Sequence, residues 1–338
     1  MPSRREREFT ATINTVTPLK LHTCQICGHT DSHPSYRARE MMHGRREEFT
    51  YFQCLHCGCL QISEIPEDMS PYYPNNYYSL AAIQSQPQGY WHRTANQLRT
   101  KHALAPKPGL GSLMRRVFGP PLLPPYVQQA KLDLHSPILD VGCGAGSFLH
   151  GLHRLGFTNL TGIDPYITED STPLPGLRIR KLEAKQLTGS YDLIVMNHSF
   201  EHMAAPMEIL ATLRRCLNAE GRLVLRIPIC SSYAWDTYGT NWVQLDAPRH
   251  FFLHSLASLK LLSEKAGLSL ESVTFDSSEF QFWGSEQYQH DIPLFDERSW
   301  TSGPAKSIFT TEQIEAFRLQ AEQLNAEGRG DQACFVLR

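Results

Sequence analysis

The sequence predicts an α/β protein in which a mostly parallel sheet is covered by helices on both faces, with a small cysteine-rich unit in front of it. Three observations carry this. From Pro137 onward, short apolar or β-branched runs alternate with segments of helical period, the pattern of strands joined by helical crossovers. Toward the N-terminal end two Cys-x-x-Cys pairs stand close together, Cys24-Gln25-Ile26-Cys27 and Cys54-Leu55-His56-Cys57. Between the two regions lies a stretch rich in Tyr, Pro, Gln and Gly. The organisation that follows is a head at 20–65, a linker or lid region at 66–135 and the α/β domain at 136–338.

Taken in order, the strand candidates of the domain are ILDV (138–141), NLTGID (159–164), LRIRKL (177–182), YDLIVMN (191–197) and GRLVLRIPI (221–229). Helical segments such as SFLHGLHRLG and PMEILATLRRCLN separate them. In the first of these Phe148, Leu149, Leu152 and Leu155 share one face and Gly156 is placed to stop the helix. Upstream, segment 103–125 is dense in Pro and Gly and predicts at most a short helix. There Leu113, Met114, Val117 and Phe118 form an apolar face beside Arg115 and Arg116; it is read as a helix packing on its own domain, with a membrane-surface contact as the alternative.

With 338 residues the chain is long enough for one large and one small unit. A net charge of −2 gives no field for attracting phosphate backbones, so no nucleic-acid partner is expected. No apolar run approaches the ~18–20 residues of a membrane span, and the first residues hold no signal-peptide core. The expected location is therefore cytoplasmic, where paired Cys-x-x-Cys motifs point to metal before disulfides.

The strongest functional signal is Ile138-Leu139-Asp140-Val141-Gly142-Cys143-Gly144-Ala145-Gly146-Ser147, a buried strand that runs into a glycine-rich turn and then a helix. Such glycines let the backbone approach a ligand. A dinucleotide fingerprint needs G-x-G-x-x-G, but here the third glycine is Gly146 and the required position holds Ser147. Asp140, at the strand end, also suits a cation better than a pyrophosphate. A sulfonium with an amino group meets that condition.

These residues resemble the D-x-G-C-G-x-G motif of class I S-adenosylmethionine-dependent methyltransferases. The resemblance implies a Rossmann-like sheet of seven strands, closed by 268–275 and 332–338, with S-adenosylmethionine at Asp140, Gly142, Cys143, Gly144 and Gly146. It also implies that Asp164, 24 positions after Asp140, takes the ribose hydroxyls and that Glu183 contacts the adenine. Asn197 and His198 then lie near the methionine part, and Glu201-His202 at the cleft. Residues 241–252, with Leu245-Asp246-Ala247-Pro248-Arg249-His250, resemble the L-D-x-P-R-H block of methyltransferases of glycan or small-molecule biosynthesis.

In the head, Cys24, Cys27, Cys54 and Cys57 form two knuckles, each followed by glycine, and four thiolates complete a closed tetrahedral zinc shell. Such a site is structural. His22, His29, His56 and Cys59 are spare ligands nearby.

Methyl transfer from a sulfonium needs alignment and, for a protonated nucleophile, a base. His250 is the first candidate base and His202 the second. His198, Glu201 and His202, at i, i+3, i+4, also resemble the metal site of some ubiquinone-type O-methyltransferases. The head, Tyr-rich linker and core are similar to sugar C-methyltransferases, whose Tyr-x-Glu-His block here reads Ala247-Pro248-Arg249-His250 and keeps only the histidine. A small-molecule or glycan-type acceptor, with a sugar or sugar nucleotide among the candidates, is the expectation, and Tyr72-Tyr73 and Tyr77-Tyr78 are placed to line its pocket or to pack the units together. The alternatives are an rRNA methyltransferase that grips RNA with its ribbon and a non-catalytic S-adenosylmethionine-binding protein.

Overall fold

The computed structural model describes residues 17–73 and 89–338; Tyr77 and Tyr78 lie outside them. The head is an antiparallel meander of β1 (Thr17–Thr23), β2 (Thr30–Arg39), β3 (Glu48–Gln53) and β4 (Leu60–Ile62). Because β1 and β3 run the same way, the turns that follow them, 24–29 and 54–59, emerge at one end of the sheet. That topology alone brings the two cysteine knuckles together.

Residues 66–135 are more helical than their composition indicates. They carry α1 (Tyr90–Leu104), α2 (Leu110–Phe118) and α3 (Pro125–Gln129). The interior of α1 holds no Pro or Gly: Gly89 caps its start, and Pro106 and Pro108 follow its end. The helix breakers mark boundaries here.

The domain follows as β5 (Ile138–Val141), α4 (Ser147–Arg154), β6 (Leu160–Ile163), β7 (Ser171–Leu174), β8 (Leu177–Arg180), β9 (Tyr191–Asn197), α5 (Pro206–Arg215) and β10 (Leu217–Pro228). Then come α6 (Tyr233–Tyr238), β11 (Phe252–Leu253), α7 (Leu256–Lys265), β12 (Leu270–Phe275), α8 (Phe280–Gln289), α9 (Thr311–Ala326) and β13 (Gln332–Leu337). The main sheet has the order β12-β13-β10-β9-β5-β6-β8-β7. Its seven expected strands are parallel except β13, and β7 adds a short eighth strand at the edge, antiparallel to β8. The two closing strands are antiparallel neighbours, but α8 and α9 lie between them in sequence, so they are not a hairpin.

Period-two alternation explains why both faces are covered. Along β9, Leu193 and Val195 face a core containing Leu149 and Leu152 of α4. Ile194 and Met196 face the opposite core, with Ile209, Leu210 and Leu213 of α5 and Leu259 and Leu262 of α7. No helix among the described residues is long and apolar enough to cross a membrane.

The head is not a separate bead. β4 pairs antiparallel with β11, a strand of the domain's own loop, and the second core runs continuously from Tyr51 and Leu60 to Trp242 and Phe252. At the junction the Arg249 guanidinium is fully buried; its Nη2 donates to Glu40 Oε1 at 3.0 Å, and Nε and Nη2 donate to both Asp246 oxygens at 2.9 and 2.5 Å. Glu40 is itself buried and accepts backbone N–H groups of His43 and Arg45, both at 2.9 Å. Removing one member of such a cluster strands the remaining charges without water. Arg249→Ala is therefore expected to lower unfolding free energy by about 3–5 kcal/mol, read by urea denaturation.

Candidate active site

Ligands on a parallel sheet sit beyond the carboxyl ends of its strands. At that edge β5 ends in Asp140 and Val141, and the chain turns through Gly142–Gly146 into α4. Gly142 has φ +75°, and a Cβ there would lie 2.5 Å from Cβ of Ser199, so the loop's close approach to the residues after β9 requires glycine. Ser199 Oγ in turn donates to the Val141 carbonyl at 2.6 Å. Gly146 caps the start of α4.

One strand over, Asp164 follows β6. Its oxygens accept the Gly144 N–H at 2.9 Å and the Tyr166 N–H at 2.8 Å, which ties the second acid to the glycine loop. Asp140 and Asp164 are both buried, and burial together with the Asp164 charge pushes the Asp140 carboxyl up to about 7. Two carboxylates beside a concave loop favour a cationic ligand over a pyrophosphate. Glu183 follows β8 at the same edge, half-exposed and paired with Lys185 Nζ at 2.7 Å.

After β9, His198 takes a left-handed conformation, φ +49°. Its Nε2 accepts from Arg226 Nη1 at 2.9 Å, which leaves Nδ1–H directed at Glu201 Oε1, 3.5 Å away. Asn197 borders a cavity of about 300 Å³ that is also lined by Tyr126, Phe148, Arg226 and Asp276.

The fold brings the sequence candidates Glu201, His202 and His250 together: one ligand atom from each lies within 4.8 Å of the others. His198 is not in this trio. Residues 200–202 form a single 3₁₀ turn and not the α-helix that an i, i+3, i+4 set requires, while His250 arrives from the loop after β10. Glu201 is fully buried, and among the described residues its carboxylate has no close hydrogen-bond partner beyond His198 Nδ1 at 3.5 Å. His250 lies within 3.9 Å of it through Nε2, and Asp246 is 3.7 Å from the same nitrogen. His250 Nδ1 is 2.7 Å from the Gln244 carbonyl and His202 Nδ1 is 2.8 Å from the Arg249 carbonyl, so each Nδ1 carries a hydrogen. The two rings meet edge-on at 4.7 Å, and Tyr73 Oη lies 3.3 Å from His202 Nδ1. Burial, with the neighbouring His202, lowers the His250 imidazole to about 4. His202 is only half-buried.

In the head, Cys24 and Cys57 Sγ are 3.6 Å apart, as are Cys27 and Cys54, and all four sulfurs fall within 4.8 Å of one another. A tetrahedron of ~2.3 Å zinc–sulfur bonds has edges of about 3.8 Å, whereas a disulfide would need ~2.05 Å, so the cluster fits a zinc ribbon. The hydrogen bond from Cys57 draws the Cys24 thiol below its ordinary range, and Gln61 Nε2 adds a donor at 3.1 Å. Among the described residues His22, His29, His56 and Cys59 stay outside the cluster; His29 and His56 stack on each other at 5.1 Å. The knuckles rest on the domain: Ser255 Oγ donates to the Cys57 carbonyl at 2.5 Å and Lys265 Nζ to the Ile26 carbonyl at 3.2 Å.

Sequence reading missed Glu40, which anchors Arg249 from the head, and the pairing of β11 with β4. Neither carries a local signature, since both are defined by partners some two hundred residues away.

Strands ordered with β13 antiparallel among parallel neighbours, a glycine loop after the first and an acid after the second define a class I S-adenosylmethionine-dependent methyltransferase. The comparisons agree. The family described as "Methyltransferase domain" matches residues 90–273, and the chain belongs to it. Relatives include ubiquinone biosynthesis O-methyltransferases: one from Xanthomonas oryzae pv. oryzae (strain PXO99A) is 29% identical over 165 residues, 43% of this chain and 68% of the relative. One from Nitrosococcus oceani is 27% identical over 178 residues, 46% of this chain and 72% of the relative. Among solved structures, an S-adenosylmethionine-dependent methyltransferase from Mesorhizobium loti shares 18% identity at a TM-score of 0.39, covering 63% of this chain and 96% of its own.

Proposed function

We propose that the protein transfers the methyl group of S-adenosylmethionine to a hydroxyl of a small-molecule or glycan-type acceptor, with His202 as the base. The observation that carries this is the tautomer of His202: its Nδ1–H is fixed on the Arg249 carbonyl, and its half-buried ring leaves the basic Nε2 for an acceptor. His202 also follows β9 at the edge where the glycine loop lies. In the step, the acceptor oxygen bonds the methyl carbon as the carbon–sulfur bond breaks, the sulfur leaves as a neutral thioether, and the hydroxyl proton passes to Nε2. His250, the first candidate on sequence grounds, is too buried for this and acts as a positioning residue that packs against His202. The relatives named as O-methyltransferases of ubiquinone biosynthesis support a hydroxyl acceptor.

For the donor, the ribose lies on Asp164 and the cationic methionine portion by Asp140, Asn197 and His198 in this proposal. The backbone of Gly142, Cys143, Gly144 and Gly146 cradles it, and Glu183 stands by the adenine. Zinc on Cys24, Cys27, Cys54 and Cys57 has no open position for substrate, so its role is to hold the head in place under the loop that carries His250.

Asp164→Ala is expected to weaken S-adenosylmethionine binding by about 1.5–3 kcal/mol in calorimetric titration; unchanged affinity would move the ribose elsewhere. With an acceptor found by screening hydroxylated rings and sugar nucleotides, His202→Ala should lower turnover ~10²–10⁴-fold at unchanged donor affinity, whereas a drop below about threefold removes His202 as base. Metal analysis should find one zinc per chain, lost in Cys54→Ser; a metal-free native protein contradicts the ribbon assignment.

A further inference from the structure

We infer that the helical pair α1–α2 is a docking surface for an anionic lipid bilayer. The charge distribution is the first observation. The whole chain has a net charge of −2, yet between Asp68 and Asp133 there is no Asp or Glu and there are seven Lys or Arg. Six of these, Arg93, Arg99, Lys101, Lys107, Arg115 and Arg116, lie on α1, α2 or the turn between them.

The second observation is an apolar face that stays largely exposed, with only Met114 half-buried. Leu110, Leu113, Met114 and Val117 recur at i, i+3, i+4, i+7, one stripe of α2, with Phe118 on its flank. The helix meets α1 through a different position. Gly111 sits so close that a Cβ there would come within 2.6 Å of the Leu98 carbonyl oxygen, which makes glycine the contact point between the two helices. Leu113 is 53% exposed and Val117 63%; no residue of α2 is buried, and Leu122 just beyond is 92% exposed. The sequence expectation that this face packs on its own domain is not met. An open cleft of about 450 Å³ beside it, lined by Leu98, Leu104 and Leu110 with Lys101 and Lys107, continues the same mixture of apolar and cationic groups onto α1.

Helices in water are held by burying such a stripe. A phosphate backbone would use the cations but has no use for the leucines and the valine. A bilayer surface with anionic headgroups uses both: the stripe sinks to the acyl boundary while Lys101, Lys107, Arg115 and Arg116 reach the headgroups, Arg99 instead donating to the Phe118 carbonyl and tying the two helices together. The cleft is bordered by Leu132–His135, which lead into the start of β5, so this face lies at the edge of the sheet opposite His202 and is independent of the acceptor chemistry.

The test is flotation of the full-length protein with phosphatidylcholine vesicles, with and without phosphatidylglycerol, at low and physiological salt, alongside binding to an RNA oligonucleotide. Binding is expected with phosphatidylglycerol, weak with phosphatidylcholine alone, and reduced by salt. L113D/V117D and R115E/R116E should each lower vesicle partitioning on the order of tenfold or more at unchanged S-adenosylmethionine affinity. If L113D/V117D lowers the melting temperature, Val117→Gln provides the milder readout. Absence of vesicle binding, or full binding by the apolar-stripe variants, overturns the inference. Retained vesicle binding by R115E/R116E does the same, and RNA binding lost in R115E/R116E but kept in L113D/V117D gives the surface to nucleic acid.

Discussion

A single buried guanidinium holds the two parts of this molecule in register. Arg249 is surrounded by the carboxylates of Asp246, from its own loop, and Glu40, from the head, with Arg249 and Glu40 fully buried and Asp246 nearly so. One cation between two anions is stable only if the remaining oxygens are also satisfied, and the backbone N–H groups of His43 and Arg45 do this for Glu40. Burial raises the Asp246 carboxyl, but the Arg249 charge outweighs it and keeps Asp246 below its ordinary value. The Arg249 carbonyl then fixes His202, and the next residue, His250, packs against that ring. Tyr51 of the head completes the bracket by donating to the His250 carbonyl at 2.8 Å.

The edge proposed for the cofactor is built on a different principle. There the glycine loop and the Asp164 carboxylate are bound to each other before any ligand arrives, and the Asp140 carboxyl is poised near neutrality by burial and by its acidic neighbour. A positively charged donor relieves that strain between like charges, while a second anion would add to it. The acidic edge and the basic face of α1–α2 thus divide an almost neutral chain into regions of opposite character.

Much of the domain was legible in its sequence because its strands are buried on both faces and its first turn is spelled out in glycines. ILDV and YDLIVMN appear as strands over the same residues, and Asp140, Gly142, Gly144 and Asp164 converge at one edge. What the sequence hid is long-range. Residues 276–331, between the two closing strands, carry no strong sequence signal, yet α8 and α9 lie there. Residues 66–135 read as a linker because they are rich in Tyr, Pro, Gln and Gly, with Pro and Gly dense at 103–125, although those breakers flank helices. Glu40, in Arg39-Glu40-Met41-Met42, has no periodic or motif signature; only the fold shows that it faces Arg249.

The head braces the loop that carries Arg249 and His250, and amide hydrogen exchange on Glu40→Gln tests that most directly. Loss of protection concentrated in residues 244–254 and in β4, with β5, α4 and β6 unchanged, is the predicted result. Unaltered protection in 244–254, or loosening spread evenly over the whole chain, would contradict it.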